Sequence, residues 1–432
     1  MNSDNSKKRS VSRRQFLVGT AVALGGSALA LAQRLGSLPA VYGQYPPTPP
    51  AWAAVLPLVA RTSPLPHVVH LHDADATHWD GTGFFYDAVD QDVVNAMVQA
   101  GLQHLSGRGA WPEIWSALFG RIYPGGYSPG QRIAVKVNFN NSGSGSNGCA
   151  SHNNVIDALP QPVLALLHGL ATAGVQDGDI TIYDASYTGV GRIIPDYFRN
   201  PISAAYPGVN YIGQSVCPGV VAPSHGKDPS LIVPFHPPVG TLTDRYLADI
   251  LYDATYLINV PILKRHGGDN YNPVTLGFKN HFGSIDHIGG GSGDDLHSYI
   301  STGDPAYRPT YSPFVDIYSN PNIKDKTVLT LGDGLYGAFG PGSIVPITWE
   351  TFGDAPNSLF FAIDPVAVDC IMADLLVAEG VVSKAHTYDY IFCAAEAGLG
   401  ICEGTRGDPG GDPWQLPYGS GYTSIQYTRV EI

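Results

Sequence analysis

Closely spaced cysteines are missing from this chain of 432 residues. Its five cysteines, Cys149, Cys217, Cys370, Cys393 and Cys402, include no Cys-x-x-Cys pair, so an iron–sulfur cluster is not indicated. They allow two disulfides at most, and spacing does not choose the pairing. Gly-x-x-x-x-Gly-Lys-Ser/Thr is absent, and no dinucleotide fingerprint leads from a strand into a helix, so ATP and NAD are not indicated either. The Gly-x-Ser-x-Gly elbow of serine hydrolases does not occur. Charge is scarce: 14% of residues are charged, against roughly 25% in an average globular chain. Acids outnumber bases by 37 to 24, for a net charge of −13. Such a surface repels phosphate backbones and argues against nucleic-acid binding. Long apolar runs are missing beyond the N-terminus, so the mature chain is expected to have no transmembrane segment.

What is present begins with Ser12-Arg-Arg-Gln-Phe-Leu17, twin arginines ahead of a weakly apolar run from Phe16 to Ala32. That is the pattern of the export route for folded proteins. Ala30-Leu-Ala32 fits a small-residue cleavage site, and a cut as late as Gly43 is also open. Residues 1–32 are therefore expected to be a twin-arginine signal peptide, and the protein to act in the periplasm or at the cell surface. Residues 33–64 read as a Pro-rich linker, with Tyr45-Pro-Pro-Thr-Pro-Pro50 as a stiff tether. Residues 65–402 read as one α/β domain and 403–432 as a Gly/Pro-rich tail.

Inside the domain, short apolar strands alternate with helical patterns. Strands are expected at Val68–Leu71, Arg132–Phe139, Asp179–Asp184, Ala254–Val260, Thr327–Leu331 and Ser358–Ile363. Helices are expected at Asp90–Leu105, Pro162–Ala173, Pro365–Ala378 and about Tyr388–Ala397. Strand, helix and strand of these lengths make parallel βαβ units. The expected fold is a mostly parallel open sheet flanked by helices, Rossmann-like in its layering, with a peripheral Pro-rich insertion at about 195–245.

An open parallel sheet puts its ligand at the carboxyl ends of its strands. Basic residues collect there in an otherwise acidic chain: Lys264, Arg265 and His266 follow the strand that ends at Val260, and Lys279, Asn280 and His281 follow soon after. Lys136 alternates with apolar neighbours in its strand, where a lysine is costly unless an anion meets it. Asn138, Asp184, Asp333 and Asp364 stand at or after other strand ends. Lys264 and Lys279, flanking a Gly-rich turn, are suited to hold a phosphate or carboxylate. His266, which as a histidine is expected to titrate near neutrality, is suited to general acid–base work, with Asp184, Asp333 and Asp364 expected to orient it or to bind a cation. Asp364 equally suits the N-cap of the helix that opens with Pro365. A second cluster, His70, His72, Asp73 and Asp75, has the donors of a divalent metal site for zinc, iron or manganese, to which Asp294, Asp295 and His297 could add.

Four segments resemble the bacterial and archaeal family called domain of unknown function 362. They are Ile133-Ala-Val-Lys-Val-Asn138; Ile258-Asn-Val-Pro-Ile-Leu-Lys-Arg-His266 with Val274-Thr-Leu-Gly-Phe-Lys-Asn-His-Phe-Gly283; Gly332-Asp-Gly-Leu-Tyr-Gly337 with Gly340-Pro341; and Ile363-Asp-Pro-Val-Ala-Val-Asp369. The resemblance implies no reaction, because the family has no established activity. Many of its members join a ferredoxin-like module, whose cysteines this chain lacks. Two functions are expected from the whole: an exported enzyme or cofactor-binding protein for a small anionic or metal-bound ligand, or a non-catalytic binding protein that meets a protein partner.

Overall fold

The computed structural model describes residues 64–142, 148–150, 154–185, 192–213, 217–266, 274–289, 294–338, 345–406 and 421–432. The expected signal peptide, nearly all of the linker, the turn at Gly267, Gly340-Pro341 and residues 407–420 of the C-terminal tail lie outside the described residues.

Eleven strands form one sheet: β1 (His67–His72), β2 (Arg132–Lys136), β3 (Ile180–Tyr183), β4 (Asn210–Ile212), β5 (Val220–Val221), β6 (Ala254–Asn259), β7 (Ile262–Arg265), β8 (Val274–Thr275), β9 (Thr327–Ala338), β10 (Ser358–Ala362) and β11 (Gln426–Glu431). Their order is β11-β1-β10-β9-β6-β2-β3-β4-β5, and β7 pairs with β8 and β9 beside that path. From β5 through β9 the neighbours run parallel. The strand β10 is antiparallel to both β9 and β1, and β11 lies parallel to β1. The sheet is thus mostly parallel, as expected, with two reversed strands, β10 and the short β8.

The central strands β2, β3, β6 and β10 bury both faces, so the helices form a layer on either side. On one side α1 (Gln91–Ser106), α2 (Trp111–Phe119), α3 (Pro160–Thr172) and α4 (Asp196–Ala205) cover Ile133, Val135, Ile182, Ile258, Leu331 and Phe361. The N-cap of α1 is Asp90, which accepts from the Asp92 and Val93 amides, and its C-cap is Gly107 at φ 66°. Gly101 is needed where α1 meets β10, because a Cβ there would lie 2.2 Å from the Phe361 ring. On the other side α5 (Gly277–Asn280), α6 (Pro313–Ser319), α7 (Pro365–Ala378) and α8 (Asp389–Glu396) pack with Ala134, Leu257, Leu263 and Phe360. Each large side chain so buried contributes about 1.5–3 kcal/mol. A disulfide joins Cys149 to Cys217 across 68 residues, and Cys370, Cys393 and Cys402 are free. Closing a loop of that length stabilises by about 4 kcal/mol.

Several expectations change. The first half of the supposed insertion is no appendage: α4, β4 and β5 extend the central sheet beyond β3. Only Ile232–Val233 and Arg245–Tyr246 form a separate two-stranded sheet. The C-terminal stretch closes as the edge strand β11 rather than ending as a tail. Gly332-Asp-Gly-Leu-Tyr-Gly337 has the glycine spacing of a dinucleotide fingerprint, yet it lies inside β9 and opens no helix. The helices α2 and α6 have no counterpart among the expected elements, both being short. Among the described residues no helix is long and apolar enough to cross a membrane.

Candidate functional site

The parallel strands deliver polar side chains to one edge. Lys136 is the last residue of β2 and shares the face of Ala134. Its side chain is fully buried. Its Nζ donates to the Val137 carbonyl and, at 3.2 Å, to Asn280 Oδ1, and lies 3.6 Å from Asp184 Oδ1. Asp184, just past β3, also accepts from the Phe139 amide at 2.8 Å. A ladder of amides continues from there. Lys264 Nζ donates to Asn138 Oδ1 at 3.1 Å, Asn138 Nδ2 to Asn280 Oδ1 at 3.1 Å, and Asn280 Nδ2 to Asn259 Oδ1 at 2.8 Å. Asn259 Nδ2 then donates to the Gly277 carbonyl at 3.0 Å. The strand ends and α5 are therefore one hydrogen-bonded unit.

The single turn of α5 has its own anchor. Asp369, buried in α7, accepts from the amides of Gly277 at 2.7 Å and Phe278 at 3.0 Å and from Tyr390 Oη at 2.9 Å. Gly277 has to be glycine, because a Cβ would sit 2.7 Å from Asp369 Oδ1. Gly283, one turn on, is tighter still: a Cβ would meet Asp184 Oδ1 and Lys136 Nζ, both at 2.4 Å. Gly283→Ala is expected to cost about 1–3 kcal/mol by overpacking and to force Lys136 and Asp184 apart. A thermal melt checks the first effect. A variant as stable as the parent would show that the ion pair gives way freely.

Lys279 is the exception in this network. It is 6% exposed, and its Nζ has no hydrogen-bond partner among the described residues. Its neighbours are the rings of Phe282 and Phe314, at 5.5 and 5.7 Å. It lines a cavity of about 70 Å³ together with Asn138, Arg192, His266, Thr275 and His297. That is room for roughly five waters or a ligand of about as many heavy atoms. The histidine rings stack at 6.0 Å, and His297 meets Phe282 edge-on at 5.8 Å.

Burial sets the protonation of these groups. It drives the Lys279 amine well below the usual lysine range, and Lys264 adds to the shift. Burial also lowers Lys264, against the pull of Asp157. Lys136 falls to about 8 by burial, in spite of Asp184. His266 and His297 are lowered by burial and then by Lys279. Asp157 is pushed up by burial to about 6, held down by Lys264 and Ser142. Burial thus weakens the hold of these basic groups on their protons.

The family model for a domain of unknown function (DUF362) matches residues 133–374. The chain belongs to the DUF362 family. No curated protein and no solved structure matches it. The DUF362 stretch runs from β2 into α7 and so contains every residue of the network just described except Tyr390, while β1, α8 and β11 lie beyond it.

Of the residues expected at the edge, the DUF362 fold brings together Lys136, Asn138, Asp184, Lys264, His266, Lys279 and Asn280. It sets Asp333 apart. That residue lies within β9, pairs in register with Ile262 and accepts from the Leu335 amide at 3.2 Å; burial raises its carboxyl to about 7. Asp364 is a correction. Because β10 runs antiparallel, its carboxyl end points to the opposite edge, where Asp364 caps α7 and accepts from Val366, Ala367 and Ile401. The histidine–aspartate cluster does not converge either. His70 bonds to Tyr427 and Ser358, and His72 pairs with Glu431. Asp73 accepts from the amide of Asp75. Among the described residues no group of three or more such side chains could hold a metal. Asn259, Asp157, Arg192, Thr275 and Asp369 were not singled out in the sequence. Asn259 alone carried a signal there, an amide closing an apolar strand. His297, expected beside a metal, lines the cavity instead.

Proposed function

We propose that this protein binds a small anion, carrying a carboxylate or phosphate, in the cavity at the carboxyl edge of the sheet and performs acid–base chemistry on it. The observation that carries this reading is Lys279: a buried amine, with no hydrogen-bond partner among the described residues, facing a cavity shared with Arg192 and two histidines. An unpaired buried amine costs free energy unless something polar meets it. An anion about 4 Å away would gain about 4 kcal/mol at an effective dielectric of 20 and would draw a proton onto Lys279. His266 or His297, kept neutral by burial, would take a proton from the bound ligand.

Export supports the same setting without bearing on the reaction. The twin arginines Arg13 and Arg14 and the Cys149–Cys217 disulfide both suit an oxidising compartment.

The test is calorimetry of the mature chain with phosphate, acetate and pyruvate, in buffers of differing ionisation enthalpy. Binding is expected with proton uptake at pH 8 and weaker affinity as pH rises, because the lysines must ionise. Lys279→Met is expected to lose at least tenfold in affinity and to gain about 1–2 kcal/mol in stability, since it removes an unmatched buried polar group. Unchanged anion affinity in Lys279→Met would sink the proposal.

A further inference from the structure

The geometry points to Lys279 as a nucleophile: we propose that its amine forms an imine with the carbonyl carbon of a small 2-oxo acid held in this cavity. The inference rests on the anion-binding reading above and narrows its ligand class. The amines of Lys136 and Lys264 are occupied, bonded to Asn280 and Asn138. Lys279 Nζ instead has no hydrogen-bond partner among the described residues and is walled by Phe282 and Phe314. That is how a lysine is prepared as a neutral nucleophile. The same burial that lowers its affinity for protons leaves its lone pair available at neutral pH.

The surroundings supply the rest. Arg192, Asn138 and Asn140 line the same cavity, with Arg192 Nη2 3.4 Å from Asn140 Oδ1. Arg192 suits the carboxylate as a bidentate partner. His266 and His297 stand beyond Phe282 as a stacked pair suited to proton transfer. The size fits as well, since about 70 Å³ takes a ligand of about pyruvate's dimensions.

The step balances without an oxidant or reductant. The Lys279 nitrogen forms a bond to the carbonyl carbon as the C=O π pair moves onto oxygen, and one amine proton passes through a neutral histidine to that oxygen, giving the carbinolamine. A second proton, taken up from solvent water, reaches the hydroxyl. The C–O bond breaks, water leaves, and the nitrogen lone pair closes the C=N bond as an iminium. The resulting iminium draws electrons from the neighbouring carbon, whose proton can pass to His266 or His297.

The experiment is reductive trapping on the full mature chain with its disulfide intact. The chain is incubated with pyruvate and borohydride, then followed by intact mass and peptide mapping. The expected result is one reduced pyruvate adduct, on Lys279, absent from Lys279→Met and Lys279→Arg when each melts as a folded protein. Solvent exchange of the pyruvate methyl protons, read by NMR, should disappear in the same variants. Pyruvate that binds by calorimetry yet leaves no adduct overturns the imine and leaves the anion site standing. Adducts spread over surface lysines such as Lys227 and Lys324 also overturn it. Failure of pyruvate, acetate and phosphate alike to bind removes both readings.

Discussion

Asp369→Ala is expected to destabilise the protein by about 4 kcal/mol and to abolish anion binding, although Asp369 touches no ligand. Its carboxylate is wholly buried and satisfies the Gly277 and Phe278 amides and the Tyr390 hydroxyl. Each buried donor left unsatisfied costs about 1–3 kcal/mol, and partial relaxation brings three of them to about 4. The binding loss follows from position: without this anchor α5 is free to turn, and α5 carries Lys279 and Asn280. Asp369→Asn keeps an acceptor and should cost about 1–2 kcal/mol. Urea unfolding of the three proteins at pH 6 checks the order. Equal stability of parent and alanine variant would refute the anchor role.

The pH dependence gives this prediction a second arm. Burial raises Asp369 to about 7 from an ordinary value of 3.8, against its three hydrogen bonds. The folded state therefore binds the proton more tightly than the unfolded state between about 4 and 7. The protonated group contributes stability that is fully present below about 4 and lost as pH rises through about 7. Asn has no such titration. The destabilisation caused by Asp369→Asn should shrink as the pH of the unfolding experiment is raised from 4 through 7.

Much of this site was legible before the fold was known, and the reason is physical. A lysine at the inner end of an apolar strand is costly, so Lys136 announced a partner, which is Asp184. Basic residues after the strand that ends at Val260 sat where a parallel sheet gathers its ligands. What stayed hidden depended on direction and distance. An apolar strand buried on both faces carries no mark of whether it runs parallel or antiparallel. Asp364 was therefore assigned to the wrong edge when β10 turned out to be reversed. His70 and His72 share a strand face as their spacing requires, but their partners are Tyr427, Ser358 and Glu431, from segments nearly 300 residues or more away in sequence. Asp369 looked like one more residue on a helix. Its role as anchor exists only because α7 crosses α5, about 90 residues earlier in the chain.

The second large effect concerns the Lys136–Asp184 pair. Lys136→Met should cost about 3–5 kcal/mol, because removing one member of a buried pair leaves the other charge uncompensated. Asp184→Asn should cost less. Lys136 falls to about 8 when buried, so it can shed its proton and keep its hydrogen bonds to Val137 and Asn280 as a neutral amine. The double variant Lys136→Met/Asp184→Asn should recover about 2 kcal/mol relative to the sum of the singles. The sign of the pH effect is opposite to that of Asp369. Lys136 binds its proton less tightly when folded, between about 8 and its ordinary 10.5. The stability it contributes is present above about 10.5 and lost as pH falls through about 8. Lys136→Met should therefore flatten the rise in stability across that alkaline window. Additive single variants would show that the two groups do not share a charge. A pair held at this cost, beside an amine with no hydrogen-bond partner among the described residues, is a stability sacrifice that the proposed anion site would account for.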